Sequence, residues 1–206
     1  MYKIKMTIFL SILLCVVCLL CGSAAADSFD RIKADLERAA CVKFEFISII
    51  ESDIFESVDS TYGTAYLAGD GRYLLEIGGD VYLYDHANSY TYSAENNQVI
   101  IEAIGEGFSA GDEISFITNL GELYATQVLE PDSVYRLTRL PDAIGDYPDS
   151  LILSIDASGR RLQQIQYYDV NEELNRIVFA KQELYEKCDE FRFEAAFPDT
   201  VDRVKL

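Results

Sequence analysis

His86 is the only histidine among the 206 residues, so a nucleophile–histidine pair would have to be built around it. It follows Asp85 at the end of a strand-like run, where a surface turn residue is the expected role. Cys15, Cys18 and Cys21 recur every third residue, but within an apolar N-terminal run; past it no Cys-x-x-Cys, His-x-x-x-His or calcium-loop spacing occurs, so no metal site and no cofactor is predicted. Gly105, Gly107 and Gly111 superficially resemble a phosphate loop, but the third glycine comes one residue late and Glu106 would repel a phosphate. With 35 Asp and Glu in the chain, a pair at glycosidase-like spacing carries no information. The chemistry-bearing residues therefore point away from an enzyme.

The positive signal is aromatic. Seven tyrosines fall between Tyr62 and Tyr92, and the chain has no tryptophan. Tyr82 and Tyr84 share one strand face while Val81 and Leu83 fill the other, and Tyr90 and Tyr92 form a second pair. Phe191, Phe193 and Phe197 are expected to line one face of the last strand. Each of these residues has a plain reading as sheet core. Together they exceed what one face of a sheet needs, and a curled sheet lined by aromatics is a natural receptacle for acyl chains.

These side chains must be carried mainly by strands. Ser28 is a plausible helix cap, and Phe29, Ile32, Leu36 and Ala39 predict a short amphipathic helix over 29–40. From Cys41 the period becomes two, with Val42, Phe44 and Phe46 on one face and Lys43 and Glu45 on the other. Strand-like runs follow at 61–68, 72–78, 80–86, 89–93 and 97–104. After a break at Gly105 and Gly107, Ile114, Ile117 and Leu120 predict a short helix over 112–120. Strands resume at 123–130, 133–140, 149–156, 161–169, 174–185 and 190–197. The pattern is α+β and mainly antiparallel, about eleven strands that must curl and a helix to cover one open face.

Lys3 and Lys5, the uncharged run from Met6 to Cys21 and the small residues Gly22 to Ala26 read as a secretory signal peptide, 1–26, cleaved after Ala26. A rival site is Cys21, which would carry a lipid anchor, although Leu20 stands where lipoprotein processing wants a small residue. Residues 27–206 are then expected to form a single domain outside the cytoplasm. Its net charge is −20, against −18 for the whole chain, which argues against nucleic acid and against adsorption on anionic lipid. Cys41 and Cys188 remain, either as a disulfide or as two buried thiols.

The order of these elements resembles the periplasmic carrier of bacterial lipoproteins (LolA type) and its relatives, over nearly all of 28–206. The helix 29–40 leading to Phe44 resembles that family's opening helix and first strand, and Tyr62-Gly63-Thr64-Ala65-Tyr66-Leu67 resembles its second strand. Gly79-Asp80-Val81-Tyr82-Leu83-Tyr84-Asp85 resembles an Asp-Gly…Leu-Trp-x-Tyr segment with Gly and Asp reversed. Asn97-Gln98-Val99, Asn175-Arg176-Ile177-Val178-Phe179 and Phe191…Phe193…Phe197-Pro198 resemble later strands. Gly69-Asp70 stands where well-studied carriers place an Arg-Pro pair, and Phe46 where they place a glutamine. Arg72 lies out of phase and is not assigned the lid-latching role.

The resemblance implies an unclosed half-barrel with a lid of short helices over a hydrophobic cavity, and a carrier that ferries acylated lipoproteins from the inner to the outer membrane. The predicted acyl-cavity residues are Phe44, Phe46, Tyr66, Tyr73, Tyr82, Tyr84, Tyr92, Phe179 and Phe193, with Ile114, Phe116, Ile117 and Leu120 on the lid. Implied partners are lipoproteins or lipids, an inner-membrane releasing complex and an outer-membrane acceptor, with the carrier a periplasmic monomer. The alternative is an envelope lipid-binding protein, anchored or soluble, that does not hand cargo on.

Overall fold

The computed structural model describes residues 27–103, 115–143, 145, 147–189, 191, 193 and 197–206. Helix α1 (Ser28–Arg38) buries Phe29, Ile32 and Leu36, the stripe that helical spacing puts on one face. Asp30 in its first turn and Arg38 in its last suit the helix dipole. Ala39 is already extended, and Cys41 opens the sheet.

Twelve strands follow: β1 (Cys41–Ser52), β2 (Ser57–Ala68), β3 (Tyr73–Ile77), β4 (Asp80–Tyr84), β5 (Asn88–Ser93), β6 (Gln98–Ala103), β7 (Tyr124–Glu130), β8 (Val134–Arg139), β9 (Ser150–Ile155), β10 (Leu162–Tyr168), β11 (Leu174–Tyr185) and β12 (Asp202–Lys205). Between β6 and β7 stand a 3-10 turn (Ser115–Asn119) and helix α2 (Leu120–Leu123). One sheet takes all the strands in the order β12-β6-β5-β4-β3-β2-β1-β11-β10-β9-β8-β7. Every pairing is antiparallel except β12 with β6. The sheet does not close on itself: β12 and β7 are its edges, and the result is an open half-barrel with a helical lid.

The last strand differs from the sequence reading. Among the described residues of 190–197, Phe191, Phe193 and Phe197 lie outside any strand, and the final strand is Asp202–Lys205. Aromatic alternation produced the expectation. The stretch instead runs over one face of the sheet, where its rings find partners, and only then pairs with β6.

Two apolar clusters sit on opposite faces. On the inner face, α1 and the 115–123 segment pack onto Val42, Phe44, Phe46, Ala65, Leu67, Tyr73 and Leu75, and onto Leu137, Leu151, Leu153, Ile165, Ile177 and Phe179. On the outer face, Cys41, Ala68 and Leu83 are covered by Phe193, with Phe191 and Cys188 packed against them. A disulfide joins Cys41 to Cys188 and so ties the covering segment to the first strand.

Strand phase alone would put Ile177 and Phe179 on the face opposite Gln182 and Leu184. A bulge resolves this. Glu45 pairs with Lys181 while Phe46 pairs with Phe179, so Ala180 is skipped and the side-chain alternation resets. Phe179 thereby meets Phe44, with ring centroids 5.0 Å apart.

Candidate functional site: the lidded inner face

Strand alternation decides which predicted residues share the inner face. Phe44, Phe46, Tyr73 and Phe179 are buried in its cluster, and Tyr82 and Tyr84 pack against it. Tyr73 and Tyr84 are cross-strand partners whose rings stack at 5.8 Å. From the lid, Phe116, Ile117 and Leu120 enter the same cluster, each no more than 2% exposed. Ile114 lies outside the described residues.

Three predicted cavity residues are on the other face. Tyr66 pairs with Lys43 and Leu74, and its ring meets Phe191 at 5.3 Å. Tyr92 meets Phe197 at 5.6 Å, and Phe193 lies in the outer cluster. The physical reason is the period of two: Tyr66 alternates with the inward Ala65 and Leu67, and Tyr92 shares the face of Tyr90. Nothing local says that a distant segment covers that face.

Arg72 belongs there as well. Its guanidinium pairs with Asp70 at 2.9 Å and lies 4.7 Å from the centre of the Phe193 ring. The Arg72 guanidinium holds the Asp70 carboxyl below its ordinary range. Arg72 thus fastens the outer segment and is remote in role from the lid. His86 takes a left-handed backbone (φ 75°) after β4, half exposed, 3.6 Å from Asp70 and edge-on to Tyr84.

α1 is anchored at its N-terminus. The Ser28 hydroxyl and backbone N–H donate to Asp132 at 2.8 and 3.1 Å, and these bonds hold the Asp132 carboxyl below its ordinary range. The buried Tyr135 hydroxyl donates to Asp27, and burial with that bond pushes its pKa up to about 12. Phe29 packs on Tyr135 at 5.3 Å. Sequence reading missed this anchor, because Asp27 and Tyr135 are 108 positions apart.

The lid is held differently. Phe116 meets Tyr124 edge-on at 6.2 Å. A Cβ on Gly121 would lie 2.5 Å from Lys33 Cδ, so the absence of a side chain lets α2 come down on the Lys33 side chain of α1. Among the described residues, no ion pair joins the lid to α1 or to the sheet. An open depression of about 430 Å³ over β1–β3 touches Phe46 and Ile77 but also includes the cross-strand row Glu45, Thr64 and Glu76. Two carboxylates make it a poor place for an alkyl chain. Among the described residues, no group of three or more His, Cys, Asp or Glu is placed to hold a metal.

No family model matches the chain. No curated protein matches it. Solved structures similar to it include an uncharacterized conserved protein from Thermus thermophilus, at 11% identity and TM-score 0.48, over 87% of this chain and 97% of that one. A LolA superfamily protein from Nitrosomonas europaea is similar at 13% identity and TM-score 0.42, over 81% and 97%. A DUF1329 family protein from Desulfovibrio piger is similar at 12% identity and TM-score 0.45, over 81% and 95%.

Proposed function

We propose that the protein is a periplasmic carrier of acylated lipoproteins, whose inner face takes acyl chains when the 115–123 lid withdraws. The observation that carries this reading is the lid itself. A segment of nine residues fills the inner apolar face with Phe116, Ile117 and Leu120, without a disulfide or ion pair among the described residues to hold it there. Burying those three side chains is worth roughly 1.5–3 kcal/mol each. An acyl chain of about fourteen methylenes gains on the order of 10 kcal/mol by the same transfer, before ordering costs. Lid and ligand are therefore matched in magnitude, and an acyl chain can take the lid's place.

The sheet supplies the receiving surface. Phe44, Phe46, Tyr73, Tyr82, Tyr84 and Phe179 are the proposed acyl contacts, and Tyr66, Tyr92 and Phe193 are excluded by their face. Residues 1–26 are proposed to direct export and to leave after Ala26, which places 27–206 in the periplasm as a monomer with no chemistry of its own. Loading by an inner-membrane complex and release to an outer-membrane acceptor are part of the same proposal.

The test is organic extraction and intact mass of protein isolated from the periplasm, together with titration of a fluorescent acyl probe. A chain starting at Asp27 that yields lipid and binds the probe is expected. Protein that yields no lipid and binds no probe would sink the carrier reading. A mature chain that starts at an acylated Cys21 would replace the soluble carrier with an anchored one.

A further inference from the structure

Tyr124 is the first residue of β7 and stands where the lid ends; its backbone N–H caps α2 by donating to the Leu120 carbonyl. Its side chain points into the inner cluster and is 3% exposed. Its hydroxyl has no hydrogen-bond partner among the described residues. The neighbouring cation does not serve it: Arg139 donates to the Gly145 and Tyr147 carbonyls at 3.3 and 3.0 Å and pairs with Asp149 at 2.6 Å. A hydroxyl desolvated without a partner is unfavourable, and a phenylalanine would fill the same space without that penalty. The Phe116 ring of the lid covers this tyrosine edge-on.

We infer that the Tyr124 hydroxyl is a binding group for ligand: it donates a hydrogen bond to the carbonyl oxygen that joins an acyl chain to its head group. The inference rests on the carrier reading and names the chemical class of its ligand, acyl esters and amides in preference to plain hydrocarbon. A carbonyl entering the apolar face loses its water, just as the phenol has lost its own. Pairing the two removes both deficits at once. Withdrawal of Phe116 uncovers the hydroxyl at the same moment that it vacates room for the chain. Burial also pushes the phenol pKa upward, which keeps the group a neutral donor across the physiological range.

The test uses two probes of equal length, a pyrene-labelled fatty-acid methyl ester and the corresponding pyrenyl alkane, titrated into wild-type protein and Tyr124→Phe. Tyr124→Phe is expected to bind the ester roughly tenfold more weakly than wild type does, the worth of one well-formed hydrogen bond. Its alkane affinity should change less than about twofold, and its Tm should not fall. Ester affinity that is the same in the two proteins overturns the assignment. An equal loss of ester and alkane affinity in Tyr124→Phe overturns it as well. Wild type that takes up neither probe overturns the carrier reading, and the Tyr124 assignment with it.

Discussion

Phe46 lies flat against Gly63, its cross-strand partner, so that a Cβ on the glycine would stand 2.8 Å from the ring's Cε2. The missing side chain is what lets the ring cover the strand and reach the inner cluster. This pair belongs to the Tyr62-Gly63-Thr64 motif, and it gives that motif a packing reason.

Gly63→Ala is therefore expected to push Phe46 off its position and to destabilise the protein by about 1–3 kcal/mol, the usual range for overpacking. Chemical denaturation measures the loss. Pairing the change with Phe46→Leu should recover part of it, because the shorter side chain vacates the space. An additive double variant would show that the ring is not what the new methyl meets.

The Cys41–Cys188 bridge spans 147 positions and pins the segment that covers the outer face. Replacing both cysteines by serine should lower stability by about 2–5 kcal/mol. The effect is read as a shift of the urea midpoint, and the reduced wild type should shift by a similar amount. Acyl-probe affinity should change little, since the bridge lies on the face away from the lid.

Alkaline pH acts through Tyr135. Its folded pKa of about 12 lies above the ordinary 10.0, so the folded state holds this proton more tightly than the unfolded chain does. Stability from this group is full below pH 10 and is lost as the pH rises through 10 to 12. In an absorbance titration the Tyr135 phenol, like the buried phenol of Tyr124, should ionise late or only with unfolding, and Tyr135→Phe should remove one such phenol and flatten the stability profile across that window. A profile identical to that of wild type would contradict the assignment.

Locking the lid should abolish uptake. Lys33→Cys with Gly121→Cys places two thiols where α2 touches α1. Linked by a short bis-maleimide, the double variant should take up an acyl probe at least tenfold more weakly than the same protein labelled at either position alone. Uptake that survives the link would mean that ligand enters by another route.

The hairpin tips offer a contrast in exposed apolar side chains. Ile54, Phe55 and Val170 are 76%, 75% and 98% exposed. Phe55→Ser and Val170→Ser should each change folding stability by no more than about 0.5 kcal/mol, as exposed positions do. Phe44→Ser, by contrast, removes a side chain with no exposure that packs on Phe179, and should cost several kcal/mol.

Local sequence was enough for most of the elements, though not for the final strand or for the bounds of the helix expected over 112–120, and for much of the inner face. The stripe Phe29, Ile32 and Leu36 could only be an amphipathic helix, and Val42, Phe44 and Phe46 could only share one face of a strand. Gly105 and Gly107 marked the end of the first run of strands, and the spacing of Ile117 and Leu120 marked a helical turn that now lies in the core. These features depend on residues a few positions apart, where backbone period and side-chain polarity decide the outcome.

Only the tertiary structure decided which face each alternating set would occupy and what would cover it. Tyr66, Tyr92 and Phe193 are as aromatic as Tyr73, Tyr82 and Phe44, yet they lie on the outer face, Tyr66 and Phe193 in its cluster and Tyr92 against Phe197, where residues after Tyr185 pass over that side. The bulge at Ala180, the bond from Tyr135 to Asp27 and the lone Tyr124 hydroxyl likewise arise from pairings across long separations. A period of two defines two faces but says nothing of which one the chain returns to cover. That choice is made by the summed burial available to distant segments, a quantity that exists only once the sheet has formed.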